Sequence, residues 1–285
     1  MPELPEVETI RHGLSELIGC KVGDIFRSDK KLRIGSTLDL SLLNHKILNK
    51  INRRARYLIL DFSGEYSLIV HLGMSGSIVL NSKDSATKNK LAQNKIEAKK
   101  HTKHDHFICE FNNGARLVFN DPRRFGFIDL IYTQNLWQYK MLAKLGPEPL
   151  LAQFNAQYLA KKLCHKKTNI KTTMMDNEIV VGVGNIYINE SLFASAISPL
   201  RSASSLTKDE IAKLVKNIKN ILKKAIKLGG SSINDYVNHE GEKGNFQNNF
   251  KVYGNNGKKC LLCNDIITKI VQNGRSSFYC KNCQK

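Results

Sequence analysis

The first apolar pattern is helical. Val7, Ile10, Leu14 and Leu17 recur at spacings of three and four, which puts them on one face of a helix. Pro5 falls in the first turn, Glu6 and Glu8 suit the positive end of the helix dipole, and Gly19 closes the pattern. The pattern then shortens to strands over residues 21–80. Tyr57–Phe62 and Tyr66–Leu72 are apolar runs joined by the turn Ser63-Gly64-Glu65. From Asn81 to Lys103 there is no period, and seven lysines face only Asp84 and Glu97, which predicts a mobile, solvated loop. Strands resume at His106–Phe111, Asn113-Gly114 marks a hairpin, and Ala115–Phe119 and Phe125–Ile131 continue the sheet. Residues 1–133 thus read as one β-rich domain with a helix at its start.

Beyond about 135 the period becomes helical, predicting helices over 135–145, 154–164, 185–196 and 207–228. The last has the clearest signature. Thr207-x-x-Glu210 is a capping box. Ile211, Leu214, Val215, Ile218, Ile221, Leu222 and Ala225 form an apolar stripe, and Gly229 ends it. That helix reads as core scaffold. Residues 230–257 are rich in Gly, Asn and Ser and read as linker and loop. Residues 258–285 form a small cysteine-bearing module.

Composition narrows the function. The chain has 285 residues, enough for two or three domains, and a net charge of +19 from 44 basic and 25 acidic residues. That excess favours a polyanionic partner, most often nucleic acid. No 18-residue apolar run exists, so no transmembrane helix is expected. The first twenty residues carry four glutamates and no apolar core, which argues against a secretory signal. Of seven cysteines, Cys20, Cys109 and Cys164 are scattered, while the other four form two CxxC pairs. Without a signal this suggests reduced thiols and a metal site.

The cysteine pairs carry the sharpest chemical signal. Cys260-x-x-Cys263 and Cys280-x-x-Cys283 offer four thiolates at a spacing that suits one tetrahedral, structural zinc. Asn273-Gly274 marks a hairpin tip between Ile266–Val271 and Ser276–Tyr279, and metal is expected to fold so short a segment. Arg275 follows the tip and reads either as a phosphate contact or as a surface arginine.

The N-terminus reads two ways at once. It starts a helix, and removal of Met1 would make Pro2 a secondary amine with a titration point near ~8, partly neutral and nucleophilic at cellular pH. Such an amine can attack a sugar C1′, and the neighbouring Glu3 can move protons there. Lys166, Lys167 and Lys171 flank Thr168 and Asn169, and Gly182-x-Gly184-Asn185 precedes a helix, an arrangement that suits phosphate or an ordinary turn. Asp121-Pro122-Arg123-Arg124-Phe125-Gly126 places two guanidinium groups beside a ring. It fits either a plain loop or a wedge that fills the space of an extruded base, and Met74 in His71–Gly76 carries the same ambiguity.

Together these pieces resemble the bacterial formamidopyrimidine-DNA glycosylases. The resemblance rests on Pro2–Thr9, His71–Ser77, His104-Asp105-His106, Asp121–Gly126, Met175-Asp176-Asn177, Val181–Tyr187, Val252-Tyr253-Gly254 and the cysteine ribbon, all in order. It implies an α+β multidomain fold: an N-terminal catalytic β-sandwich with flanking helices (1–133), a helix–two-turn–helix domain (134–229), a linker with a lesion-capping loop (230–257) and a zinc ribbon (258–285). It implies a bifunctional enzyme of base-excision repair that removes 8-oxoguanine and formamidopyrimidines from damaged duplex DNA. Lyase chemistry by β,δ-elimination follows through a Schiff base. Pro2 would be the nucleophile and Glu3 the proton donor. Met74, Arg123 and Phe125 would fill the gap in the helix, and His104, Arg123, Lys166, Lys171 and Asn185 would hold DNA. Arg275 would assist the second elimination. The resemblance also implies one zinc, a monomer and a cytoplasmic, nucleoid-associated protein.

Arg53-Arg54-Ala55-Arg56-Tyr57-Leu58 departs from the family pattern, which has lysine where Arg56 stands. Arginine keeps the charge but is a poor proton donor, so a weaker lyase step is expected. The basic 81–103 stretch is also longer than the family pattern. Two rival readings stand beside this one: an endonuclease VIII-like enzyme for oxidised pyrimidines, and a zinc-ribbon protein that binds damaged DNA without cutting it.

Overall fold

The computed structural model describes residues 2–81, 101–232 and 236–285. Most of the basic stretch, residues 82–100, therefore lies outside the described residues. The chain divides into two compact units, one comprising residues up to Ala143 with Gly229–Gly244, the other Lys144–Leu228 with Asn245–Lys285.

The first unit is an antiparallel β-sandwich. Its strands are β1 (Val22–Arg27), β2 (Leu48–Arg54), β3 (Tyr57–Phe62), β4 (Tyr66–His71), β5 (Ser77–Asn81), β6 (Asp105–Phe111), β7 (Arg116–Asn120) and β8 (Phe127–Tyr132). They form two four-stranded sheets, ordered β1-β6-β7-β5 and β2-β3-β4-β8. Inward residues of both sheets, among them Leu58, Leu60, Leu68, Val70, Ile78, Phe107, Leu117 and Phe119, share one core. Helix α1 (Leu4–Gly13) and the 3₁₀ turn after it (Leu14–Leu17) bring Val7, Ile10, Leu14 and Leu17 into that core, each at most 1% exposed. The predicted apolar face is therefore the buried one, although the α-helix tightens to 3₁₀ before Gly19 (φ 88°) ends it.

The second unit is helical with a two-stranded ribbon. Its helices are α2 (Ala156–Leu163), α3 (Ile170–Met174), α4 (Asn185–Ser195) and α5 (Lys208–Lys227). The Thr207/Glu210 capping box forms as expected, and Ile211, Leu214, Ile218 and Leu222 are buried against Leu159, Tyr187, Ile188 and Leu192. No α-helix forms at 135–145, contrary to the sequence expectation. A 3₁₀ segment, Thr133–Gln138, stands there instead. The reason is local: Tyr139 turns extended and donates its hydroxyl to Asp129 Oδ2 at 2.8 Å, a bond to the sandwich that a continuing helix would break. In the ribbon β9 (Ile267–Gln272) pairs with β10 (Arg275–Cys280) through Asn273 (φ 46°) and Gly274 (φ 70°), the doubly left-handed turn that Asn-Gly favours. Among the described residues no helix is long and apolar enough to cross a membrane.

A buried carboxylate joins α4 to the chain leading into the ribbon. Glu190 is 4% exposed and accepts the backbone N–H groups of Lys251 (2.9 Å), Val252 (3.0 Å) and Tyr253 (2.8 Å). Burial pushes its carboxyl above the usual range, against the pull of these three donors. Glu190→Ala leaves all three donors without that acceptor and is expected to cost about 3 kcal/mol or more. Chemical denaturation of the zinc-loaded protein checks this; a loss below about 1 kcal/mol contradicts it.

Candidate active site

In the first unit the chain's start is locked by buried carboxylates. Pro2 is buried and Glu3, 5% exposed, occupies the N-cap position of α1 with extended backbone. The Glu3 N–H donates to Glu6 Oε2 at 2.8 Å. Glu6 is 2% exposed, and its other oxygen accepts the Ser231 N–H (2.8 Å) and hydroxyl (3.0 Å). Tyr236 donates its hydroxyl to the Glu6 carbonyl at 3.3 Å. The segment expected to cap a lesion is thus tied, at Ser231 and Tyr236, to the turn that carries Glu3. Residues 233–235 of that segment lie outside the described residues.

The polar face of α1 is fastened to the β2–β3 hairpin. Arg53 Nε meets Glu8 Oε2 at 2.5 Å, and Arg11 Nη2 meets Glu8 Oε1 at 2.7 Å. Burial raises the Glu8 carboxyl, but the hydrogen bonds and charges of Arg11 and Arg53 prevail and hold it below the usual glutamate range. Ala55, left-handed at φ 53°, and Arg56 make the hairpin turn, and Arg53 Nη1 donates to the Ala55 carbonyl at 2.8 Å. Arg56 lies near His71, together with Arg33. His71 stacks on Phe127 at 5.6 Å and accepts the Gly73 N–H on Nδ1 at 3.1 Å, which assigns the proton of the neutral ring to Nε2. Burial, and then the two arginines, push His71 down to about 4.

Met74, Arg123 and Phe125 come together on adjoining turns. Met74 is 41% and Phe125 43% exposed, and the Arg123 guanidinium sits 5.7 Å from the Phe125 ring centre. His104 is half-buried and its carbonyl accepts the Asp121 N–H at 3.0 Å, which sets it beside this loop. A cavity of about 430 Å³ nearby is lined by Arg27, Lys30, Lys31, Arg33 and His106. Arg27, Lys30, Lys31 and Arg33 went unnoticed in the sequence because they follow no period, whereas His106 stands in the His104-Asp105-His106 motif.

In the second unit Lys166 is exposed and Asn185 starts α4 just after Gly184, with Oδ1 buried and without a partner among the described residues. Lys171 corrects its sequence expectation of a phosphate contact. It is 1% exposed, and its ammonium donates to the Ser276 carbonyl (2.8 Å) and Ser277 Oγ (2.7 Å). The physical reason is desolvation: a buried ammonium needs these acceptors, and they hold it to the ribbon. Arg275 is exposed at the first residue of β10. The four expected cysteines converge, their sulfurs all within 4.8 Å of one another, with Cys260–Cys283 at 3.8 Å and Cys263–Cys280 at 3.4 Å. Tetrahedral zinc with Zn–S near ~2.3 Å spaces its sulfurs by about 3.8 Å, so these residues fit a single structural ion.

His71 makes stability depend on pH. Its folded value near 4 lies below the unfolded 6.5, so the unfolded chain binds the extra proton first. The stability is therefore present above pH 6.5 and is lost as pH falls toward 4, by roughly 3 kcal/mol at the limit. Denaturation at pH 7.5 and about 5 checks this: His71→Gln is expected to show a shallower loss than the parent, and equal losses contradict it.

Comparison with known proteins places the whole chain. Residues 1–128 match the model of the formamidopyrimidine-DNA glycosylase N-terminal domain, 145–237 the formamidopyrimidine-DNA glycosylase H2TH domain, and 257–285 the zinc finger found in FPG and IleRS. A formamidopyrimidine-DNA glycosylase of Rickettsia conorii is 44% identical over 287 residues, covering 100% of this chain and 99% of the relative. One of Dinoroseobacter shibae is 42% identical over 290 residues, with both chains fully covered. A Lactococcus lactis FPG mutant in complex with Fapy-dG-containing DNA is similar with a TM-score of 0.86 at 34% identity, and the same bacterium's Fpg with abasic-site DNA with a TM-score of 0.85, each covering 100% of both chains. The strands, the helical unit and the cysteine ribbon all find their counterparts at full length, and on that ground the chain belongs to the formamidopyrimidine-DNA glycosylase family.

Proposed function

We propose that this chain is a base-excision-repair DNA glycosylase and AP lyase that removes oxidised purines from duplex DNA. The observation that carries the reading is the N-terminus: Pro2 and Glu3 are both buried, and Glu6 holds the Glu3 N–H, in a chain of this family. With Met1 removed, the Pro2 nitrogen attacks C1′ of the damaged nucleotide and the base leaves with its bonding pair and a proton. The ring oxygen departing C1′ needs a proton, and Glu3 is the adjacent carboxyl group to supply it. The resulting iminium acidifies the C2′ hydrogen. Its loss expels the 3′ phosphate oxygen, and a second elimination expels the 5′ phosphate, leaving a one-nucleotide gap. Arg275 assists that last step.

Met74, Arg123 and Phe125 occupy the space vacated by the extruded nucleotide. His104, Arg123, Lys166 and Asn185 hold the DNA backbone, with the net charge of +19 strengthening every phosphate contact. Cys260, Cys263, Cys280 and Cys283 would hold zinc, which folds the ribbon and takes no part in the chemistry. A monomer at the nucleoid in the cytoplasm suits this activity. The oxidised-pyrimidine reading retains one support: a Lactococcus lactis Fpg has been crystallised with oxidised-pyrimidine DNA, at a TM-score of 0.85 to this chain.

Borohydride trapping tests the reaction. An adduct is expected on a duplex with 8-oxoguanine opposite cytosine, and it should vanish or shrink strongly with Pro2→Gly. An adduct on a dihydrothymine duplex alone would move the substrate to pyrimidines. Binding without an adduct on either, with Met1 shown absent by mass spectrometry, would leave a damage-binding protein without chemistry.

Arg56 has a separate consequence. An arginine stays protonated and transfers protons poorly, so Arg56→Lys is expected to raise the lyase rate relative to base excision. Gel assays that resolve excision from strand cleavage measure this ratio, and an unchanged ratio would sink the idea.

A further inference from the structure

Asp121 is fully buried, yet it lies within the loop that presents Arg123 and Phe125. Its Oδ2 accepts the Gly126 N–H at 2.8 Å and its Oδ1 accepts the Arg123 N–H at 3.3 Å, so one carboxylate closes the loop from inside. Oδ1 also accepts the Ser75 hydroxyl at 2.5 Å, and Ser75 Oγ in turn accepts the Arg123 N–H at 3.3 Å. Ser75 is the residue after Met74. A single buried carboxylate therefore holds both turns from which the exposed Met74 and Phe125 project.

Backbone packing closes the same joint. Gly73 is left-handed (φ 62°), and a Cβ there would lie 2.5 Å from the Phe125 carbonyl carbon and the Gly126 nitrogen. A Cβ on Gly126 would lie 2.6 Å from the His71 carbonyl oxygen. The His106 ring, held by Ser28 Oγ at 2.9 Å, contacts the Asp121 carbonyl through Nε2 at 3.0 Å. Two large apolar side chains thus stand in solvent on turns that have no freedom to withdraw them. Leaving them exposed forgoes burial that a looser loop could gain, which makes sense where the turns must meet a ligand already shaped.

We propose that the Ser75–Asp121 hydrogen bond clamps the Met74 turn and the Arg123–Phe125 loop into one rigid insertion element, so that both enter the DNA together when the nucleotide leaves the stack. Ser75 and Asp121 are positioning residues; neither needs to touch DNA. This rests on the reading of Met74, Arg123 and Phe125 as gap-filling groups. The bond is charge-assisted and buried, so its loss frees the two turns relative to each other.

The test uses the full zinc-loaded chain and two substrates: a duplex with 8-oxoguanine opposite cytosine, and the same duplex with a preformed abasic site, where no stacked base has to be replaced. Ser75→Ala is the main variant, because Asp121→Asn also disturbs the loop's own closure. Single-turnover excision by Ser75→Ala is expected to fall roughly 10- to 100-fold, while borohydride trapping at the abasic site falls less than about threefold. Adding Phe125→Ala to Ser75→Ala should cost far less than Phe125→Ala alone, since the two act as one element. Excision at the parental rate, additive effects, or equal losses on both substrates would overturn the clamp. A parental chain that excises nothing would overturn the glycosylase reading instead, and it is told apart because it fails with no substitution present.

Discussion

The seating of α1 in the sandwich core is the constraint on which the rest depends. Val7, Ile10, Leu14 and Leu17 are essentially sealed from water, and burying each contributes about 1.5–3 kcal/mol. That gain fixes the helix axis, and with it the position of the residues just ahead of its first turn. A chain end would ordinarily fray. Here the end is held by an apolar face behind it and by Glu6, whose two oxygens grip Glu3 on one side and Ser231 on the other. In the proposed reaction, attack by Pro2 and proton transfer by Glu3 at one carbon need both groups within a fraction of an ångström of their working positions. The core and the Glu6 carboxylate together supply that order.

The same logic recurs in other buried polar groups. Glu6, Asp121, Glu190 and Lys171 are each nearly or wholly excluded from solvent, and each bonds to segments distant in sequence or to a second turn. Burying a charged group is costly unless hydrogen bonds satisfy it. Once satisfied, it specifies one geometry and no other, because any shift strands a donor or an acceptor. Apolar packing sets the sandwich and the helical unit; these polar joints set the exposed groups they carry. Lys171 orders the ribbon that bears Arg275, and Asp121 orders the turns that bear Met74 and Phe125. Exposed side chains thereby inherit rigidity from partners that never leave the interior.

Much of this was legible along the chain. The apolar runs at Tyr57–Phe62 and Tyr66–Leu72, the capping box at Thr207 and Glu210, the Asn273-Gly274 tip and the two CxxC pairs each act locally, within a few residues, and each took the expected form. The segment at 135–145 did not, because a bond from Tyr139 back to Asp129 of the sandwich outweighs a modest helical period. Lys171 misled for a related reason. A lysine in a basic cluster looks solvated, and only the approach of Ser276 and Ser277, more than a hundred residues later, turns it inward.

The sequence by itself determined the parts that act locally: thiolate pairs spaced for one metal, a basic excess suited to a polyanion, and elements whose periods are intrinsic to the backbone. Local spacing suffices for these, since turn, helix and metal-knuckle geometry are set by neighbouring residues. Only the tertiary structure decided which polar residues face the interior. That Asp121 reaches Ser75 across 46 positions, that Glu6 holds Ser231 across 225, and that burial, and then two arginines, keep His71 neutral depends on which sheets and turns meet. The burial and partners of a polar side chain are properties of contacts between distant segments, and no period along the chain encodes them.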